Sequence, residues 1–179
     1  MDPTTLARLT ALHEAKTRPN EEAQMRGDSG APTEPTAPTP APDLRALGDK
    51  LVGRWKISGE SVGETTYEWM DGGFFLIQRG HVARPEATYD FIQIIGYDRT
   101  PGNEPGDEIT GRLYTSGGDT LTYICEAGER TLTIWFGEKG SPSFYRGEFS
   151  EDGGTIAGDW HWPSGGYEET MTRQKPQAT

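Results

Sequence analysis

Short runs in which apolar and polar residues alternate fill the chain from position 52 onward, and glycine-rich segments separate them. A period of two is typical of β-strands that bury one face of a sheet. Because these strands recur without helices between them, the pattern indicates a sandwich or a barrel. The chain has about ten such strands, over 52–60, 62–70, 74–83, 89–98, 108–115, 119–126, 130–136, 143–150, 154–162 and 166–174.

The chain ahead of the strands has a different composition. Residues 19–42 are predicted to be an extended linker without a core, because 31–42 intersperse proline with alanine, threonine and glutamate. The leucine stripe within 5–16 is too narrow for a stable helix on its own. Asp43 is a predicted N-cap for a helical turn that carries Leu44, Leu47 and Leu51 on one side. We therefore predict a disordered, proline-rich tail over 1–42 and one barrel domain over 43–175.

Pairing each hairpin across its turn predicts which side chains face inward, because opposed residues share one face of a sheet. The inner face is then aromatic, whereas the outer face pairs opposite charges. The predicted inward pairs are Trp69–Phe74, Tyr67–Leu76 and Thr65–Gln78 around Asp71-Gly72, Tyr145–Trp160 and Phe149–Ile156 around Gly153-Gly154, and Trp162–Tyr167 and Trp160–Glu169 in the last hairpin. Around Gly128-Glu129 the inward set is Leu121, Tyr123 and Cys125 against Leu132, Ile134 and Phe136. The predicted outward pairs are Glu64–Arg79 and Arg146–Asp159.

The last strand also carries Arg173 to the inner face. In a closed meander the first and last strands are neighbours, so Arg173 is expected beside Trp55 at the start of the first strand. A guanidinium over an indole face contributes about 0.5–2 kcal/mol. Gly53, Trp55 and Arg173 are therefore predicted to close one end of the barrel.

These three residues resemble the family mark of the calycins, the lipocalin-like barrels. That mark is a Gly-x-Trp on strand one after a short helical turn, with an Arg or Lys of the last strand packed over the Trp. A closer resemblance covers about residues 43–174. Its segments, 51–55, 66–76 and 94–98, look like an uncharacterised bacterial lipocalin-like family that is common in actinobacteria. The resemblance implies an antiparallel up-and-down meander barrel with a short helical turn at its closed end, and it implies no established substrate.

Acidic residues outnumber basic ones by 28 to 17, which leaves a net charge of −11. Nucleic acid and anionic membranes are therefore poor partners. No segment approaches the roughly 18 apolar residues of a membrane span. The single cysteine, Cys125, allows neither an internal disulfide nor a cysteine-based zinc cluster. We predict a cytoplasmic protein, a monomer or homodimer, with no nucleic-acid or membrane partner and no metal site.

Glu169 is the one carboxylate that the pairing places inside the barrel. A buried carboxylate costs several kcal/mol unless a neighbour compensates it, so Glu169 is expected to pair with Arg173 or with a tyrosine hydroxyl. Alternatively, it meets a ligand's hydroxyl or amine, or it acts as an acid or base with a raised pKa. Cys125 is interpreted as a small buried hydrophobe, because no histidine is placed beside it.

The favoured function is binding of a small, mostly apolar molecule inside the barrel, without catalysis and without a cofactor. In one alternative, the aromatic side chains fill the interior and leave no space. In a second, Glu169 and Tyr145 serve a cyclase or isomerase. In a third, the barrel binds haem as nitrobindin-like barrels do, but His81 and His161 are both predicted to point outward and a one-residue bulge would be needed. The predicted ligand-binding residues are Tyr67, Trp69, Leu76, Gln78, Tyr123, Ile134, Tyr145, Trp160 and Glu169.

Overall fold

The computed structural model describes residues 39–100 and 104–175. In these ranges there are one helix, α1, and ten strands, β1–β10. Their bounds are α1 Pro42–Leu51, β1 Gly53–Gly59, β2 Val62–Trp69, β3 Phe75–Arg84, β4 Ala87–Tyr97, β5 Ile109–Thr115, β6 Thr120–Ala127, β7 Thr131–Phe136, β8 Phe144–Phe149, β9 Thr155–Trp162 and β10 Gly165–Arg173. No helix within these ranges has the length and apolar character that a membrane crossing needs. The predicted disordered tail lies outside the described residues up to position 38, as does the leucine stripe of 5–16.

The ten strands form one closed antiparallel barrel in which successive strands are neighbours. Closure comes from β1 pairing with β10. The predicted all-β fold, the up-and-down order and the count of about ten strands are confirmed. Because α1 leads directly into β1, it lies at the end of the barrel that also carries the β2–β3, β4–β5, β6–β7 and β8–β9 connections. We call this the closed end.

Four hairpins test the predicted registers. The Gly153-Gly154 hairpin has the predicted one, with Tyr145 opposite Trp160. The other three are displaced from the prediction by two residues. Their observed pairs are Tyr67–Gln78 and Trp69–Leu76, Tyr123–Phe136 and Cys125–Ile134, and Tyr167–Trp160 and Glu169–Gly158.

The length or the position of the turn explains each displaced register. The amide of Met70 donates to the carbonyl of Phe75 at 2.9 Å, so the loop that this bond closes has four residues, 71–74, where the predicted pairing leaves two. In the last hairpin the register is displaced in the opposite direction. Trp162 pairs with Gly165 and not with Tyr167, so residues 163 and 164 form the turn. Side chains alternate with a period of two, so a displacement of two leaves every residue on its predicted face.

The outer face carries ion pairs, although one predicted pair is wrong. Glu64 lies opposite His81 and forms its ion pair with Arg54, at 3.4 Å. Arg79 pairs instead with Glu68, at 3.6 Å. All four charged side chains are more than half exposed, so each pair contributes at most about 1 kcal/mol.

The helix α1 begins one residue before the predicted N-cap. Ala41 occupies the N-cap position without a side-chain hydrogen bond, and Pro42 supplies the fixed φ that suits a first helical residue. Asp43 therefore lies inside the first turn, and its predicted role as N-cap was wrong. Its carboxylate accepts hydrogen bonds from the Tyr97 hydroxyl and the Leu44 amide. The three leucines of α1 are buried and cover the closed end of the barrel: Leu44, Leu47 and Leu51.

Arg173 ties the last strand to the first strand and to the end of α1 at the closed end. Its guanidinium carbon lies 4.2 Å from the centroid of the fully buried Trp55 ring, in the contact that the closed meander predicts. The two terminal nitrogens of Arg173 donate 2.5 Å hydrogen bonds to the carbonyls of Val52 and Lys50. Gly53 has a φ of 130°, which favours glycine, and a Cβ there would lie 3.0 Å from Arg173 Nη1. The glycine of the Gly-x-Trp segment is thus required by both the backbone and the arginine.

Candidate functional site

A cavity of about 570 Å³ occupies the part of the barrel away from α1. Side chains from all ten strands line it, and at the end away from α1 the lining includes the β5–β6 turn and the strand ends Arg84, Ala87 and Trp162. The volume falls within the range of about 300–1,000 Å³ that is typical of small-molecule sites. The aromatic side chains do not fill the interior, so the alternative of a solid barrel is wrong.

Most of the predicted ligand-binding residues face this cavity. The predicted faces were correct, so residues of displaced hairpins reach the lining as well. Seven of the nine are Tyr67, Gln78, Tyr123, Ile134, Tyr145, Trp160 and Glu169.

Trp69 and Leu76 do not line the cavity, and their predicted place in the ligand site is corrected. Both lie at the closed end, where they oppose each other at the β2–β3 turn. The Trp69 ring packs against α1 so closely that a Cβ on Gly48 would overlap it. Leu76 is fully buried and lies opposite Ile95. Alternation tells which face a residue occupies, but α1 decides which inward residues are covered.

One wall of the cavity is a cluster of aromatic rings centred on Trp160. The ring centroids of Tyr145, Phe136, Tyr123 and Tyr167 lie 5.1, 5.6, 6.1 and 6.4 Å from that of Trp160. All of these pairs are tilted or edge-on, which are favourable arrangements for aromatic rings. The cluster is a preformed apolar surface that suits a flat or ring-bearing molecule.

Glu169 is held by Trp160 and not by Arg173. The indole nitrogen of Trp160 donates to Glu169 Oε1 at 3.2 Å. Arg173 is four residues further along β10, which is about 13 Å at the usual rise of a strand. It lies at the closed end against Trp55, so the predicted pairing of Glu169 with Arg173 was wrong. Burial raises the pKa of Glu169, while the Trp160 hydrogen bond and the charge of Arg84 oppose that shift.

Arg84 is a cavity residue that the sequence analysis missed. It ends β3 and continues the inward alternation of that strand through Gln78 and Val82, whereas the predicted strand stopped at position 83. Its guanidinium carbon lies 4.0 Å from the centroid of the Tyr167 ring on β10. Its Nε is buried without a hydrogen-bond partner among the described residues.

The inward residues of β4 were also missed. Tyr89, Phe91 and Gln93 line the cavity, and Gln93 lies opposite Gln78. The alternation of β4 carried this signal, but the β3–β4 hairpin was not paired in the sequence analysis. The amide nitrogen of Gln78 donates a hydrogen bond to the Thr65 hydroxyl at 3.1 Å, so one polar group of the lining already has a partner within the protein.

The Tyr145 hydroxyl is a buried polar group without a hydrogen bond among the described residues. The side chain is 1% exposed, and a Cβ on Gly147 would come within 2.5 Å of the hydroxyl oxygen. Burial, followed by the charge of Glu169, raises the pKa of Tyr145. Burial likewise raises the pKa of Tyr67. Both phenols therefore remain protonated at neutral pH and can donate a hydrogen bond.

The two histidines of the described residues and the cysteine lie apart from this chemistry. His81 and His161 are exposed on the outer face, where they contact Asp90 and Asp159. Burial raises the pKa of Cys125 to about 12, so its thiol stays protonated. Within the described ranges, no group of three or more His, Cys, Asp or Glu residues is arranged to hold a metal ion.

Comparison with known proteins gives no family for this chain. No protein-family model matches it, and a search of curated proteins finds no significant match.

Proposed function

We propose that the protein binds a small, mostly apolar molecule in the barrel cavity and is not an enzyme. The observation that carries this proposal is the cavity of about 570 Å³, with an aromatic wall and an inner surface that is mostly apolar. Such a lining desolvates an apolar molecule, which contributes about 25 cal/mol per Å² of apolar surface buried. The polar groups then orient the bound molecule.

We also propose that the barrel is of the calycin or lipocalin-like type and belongs to the bacterial family that the sequence resembles. The contact of Arg173 with Trp55, next to Gly53 with its positive φ, supports this assignment. A cytoplasmic location is part of the same proposal. The acidic composition and the single, buried cysteine are consistent with it.

Binding in the cavity is tested with two neighbouring residues of β5. Leu113 lines the cavity, whereas Tyr114 is 45% exposed on the outer face. We expect an apolar fluorescent probe such as N-phenylnaphthylamine to bind the wild type and the Tyr114→Trp variant equally. Leu113→Trp places a large ring in the cavity and should weaken binding at least tenfold, and Leu113→Phe should weaken it less.

Equal binding by the wild type and Leu113→Trp, with urea unfolding showing both to be folded, would place the probe elsewhere and contradict the proposal. Native mass spectrometry of the purified protein adds an independent measurement. A retained small molecule that Leu113→Trp loses and Tyr114→Trp keeps supports the cavity as the site.

A second candidate is an acid–base enzyme that acts on a molecule held in the same cavity. The raised pKa of Glu169 and the unpaired hydroxyl of Tyr145 favour this candidate, because both groups can donate a proton or hydrogen bond to a substrate. Under this alternative, Glu169→Gln abolishes turnover of an accepted substrate and leaves probe affinity unchanged. Haem binding has less support, since His81 and His161 lie on the outer face.

A further inference from the structure

Two opposite charges, Arg84 and Glu169, line the cavity from different sides of the barrel. Arg84 extends from the end of β3 at the rim, and Glu169 extends from β10, which is three strands away around the barrel. Within the described residues, each is held by an aromatic side chain. Arg84 stacks on Tyr167, and Glu169 accepts the hydrogen bond of Trp160.

The two charges do not form a direct ion pair with each other among the described residues. Burial raises the pKa of Glu169 and the charge of Arg84 opposes part of that rise, so the two groups are close enough to interact through space. Arg84 Nε has no hydrogen-bond partner in the described part of the chain, and Trp160 occupies only one oxygen of Glu169. Among the described residues, the cavity thus presents the unpaired guanidinium of Arg84, which reaches Tyr167 on β10, and one unpaired oxygen of Glu169 on the same strand.

This arrangement discriminates between ligands by charge. An anion that binds Arg84 is repelled by Glu169, and also by Asp119, which lies on the rim. A cation that binds Glu169 is repelled by Arg84. A neutral group that both accepts and donates a hydrogen bond meets neither repulsion. It also satisfies both residues, and leaving a buried charged partner unpaired is costly.

We propose that the ligand carries a neutral head group with both a donor and an acceptor, a hydroxyl or a carboxamide, which accepts from Arg84 and donates to Glu169. Its apolar body packs on the aromatic cluster around Trp160. This inference rests on the proposed function, because it specifies the chemical class of the molecule that the cavity binds.

Four probes with one naphthalene body test the head group by titration calorimetry: methylnaphthalene, naphthylmethanol, naphthylmethylammonium and naphthylacetate. A cavity without polar recognition binds methylnaphthalene more tightly than naphthylmethanol, because the hydroxyl then loses its water without replacement. We expect the wild type to bind naphthylmethanol at least as tightly as methylnaphthalene. We expect it to bind each ion roughly tenfold or more weakly than the alcohol.

The variants should change this preference in opposite directions. Arg84→Met removes the cation and should improve the relative affinity for naphthylmethylammonium by roughly tenfold, whereas Arg84→Lys should not. Glu169→Gln removes the anion and should improve the relative affinity for naphthylacetate. Arg79→Met is the matched control, since Arg79 lies on the outer face of β3 and should leave all four affinities unchanged.

The outcomes separate this inference from the proposed function. If methylnaphthalene and naphthylmethanol both fail to bind, the proposed function and the inference fail together. If methylnaphthalene binds more tightly than naphthylmethanol, or if the Arg84 and Glu169 variants leave the charge preference unchanged, the inference alone is overturned. Should Arg84→Met not fold, Arg84→Gln removes the same charge and is read in the same way.

Discussion

Tyr145→Phe should stabilise the folded protein, although it removes a polar group. The Tyr145 hydroxyl is buried and has no hydrogen-bond partner among the described residues. Phenylalanine retains the ring and its contact with Trp160, at a centroid distance of 5.1 Å. The substitution therefore removes an unfavourable burial and keeps the packing.

The magnitude follows from the burial of one unpaired hydroxyl. A buried polar group without a partner costs about 1–3 kcal/mol. We expect Tyr145→Phe to raise the free energy of unfolding by about 1–2 kcal/mol. For a domain of this size, each 1 kcal/mol corresponds to a rise in melting temperature of about 4 °C.

The free energy of unfolding is measured by urea denaturation and followed by far-UV circular dichroism, which does not depend on the fluorescence of Trp160. Tyr114→Phe is the control, because Tyr114 is exposed on the outer face and its substitution should change stability by less than about 0.5 kcal/mol. A loss of about 1 kcal/mol or more in Tyr145→Phe would refute the reasoning. It would mean that the hydroxyl is satisfied in the folded protein.

Three further predictions concern the closed end and the cavity carboxylate. Arg173→Met should lower the free energy of unfolding, measured in urea, by about 2–5 kcal/mol, and Arg173→Lys by about half as much. The exposed Arg54 is the control, and Arg54→Met should lower it by less than about 1 kcal/mol. Equal losses for the Arg173 and Arg54 variants would contradict this prediction. Gly48→Ala should lower the free energy of unfolding by about 1–3 kcal/mol, because the new Cβ overlaps the Trp69 ring. Helix propensity alone predicts the opposite, a gain of about 1 kcal/mol. Trp69→Phe in the same chain should restore part of the lost stability. Burial raises the pKa of Glu169 in the folded state, so its contribution to stability is greatest below the unfolded pKa of about 4 and is lost as the pH rises through the folded value. Glu169→Gln should then be more stable than the wild type at neutral pH and equally stable near pH 4 or below, and a pH-independent difference would argue against the shift.

Much of the fold could be predicted from local pattern. Tyr67 and Tyr145 alternate with polar neighbours, and that alternation alone places them on the inner face. Trp69 has the same alternation and yet lies outside the cavity, because α1 covers its end of the barrel. Position along the barrel axis depends on the helix and on the loops, and neither is encoded in the alternation.

The partner of Glu169 shows a second limit. Arg173 shares its strand and its face, which made it the natural candidate in the sequence. Distance along the strand excludes it, and the carboxylate accepts instead from Trp160, which the observed register places diagonally across from it on β9. Arg84 reaches the same region from β3, a contact between strands that are far apart in the chain.

The amino-acid sequence by itself determined the class of fold, the face of each strand residue and the closure by Gly53, Trp55 and Arg173, because alternation and strand order are properties of neighbouring residues. Only the tertiary structure decided where along the barrel axis each inward residue lies and whether a cavity remains. It also decided that Arg84 reaches from β3 to Tyr167 on β10, the strand that carries Glu169. These features depend on loop lengths and on the stagger of strands in a closed barrel, where small changes at the turns move whole strands past one another.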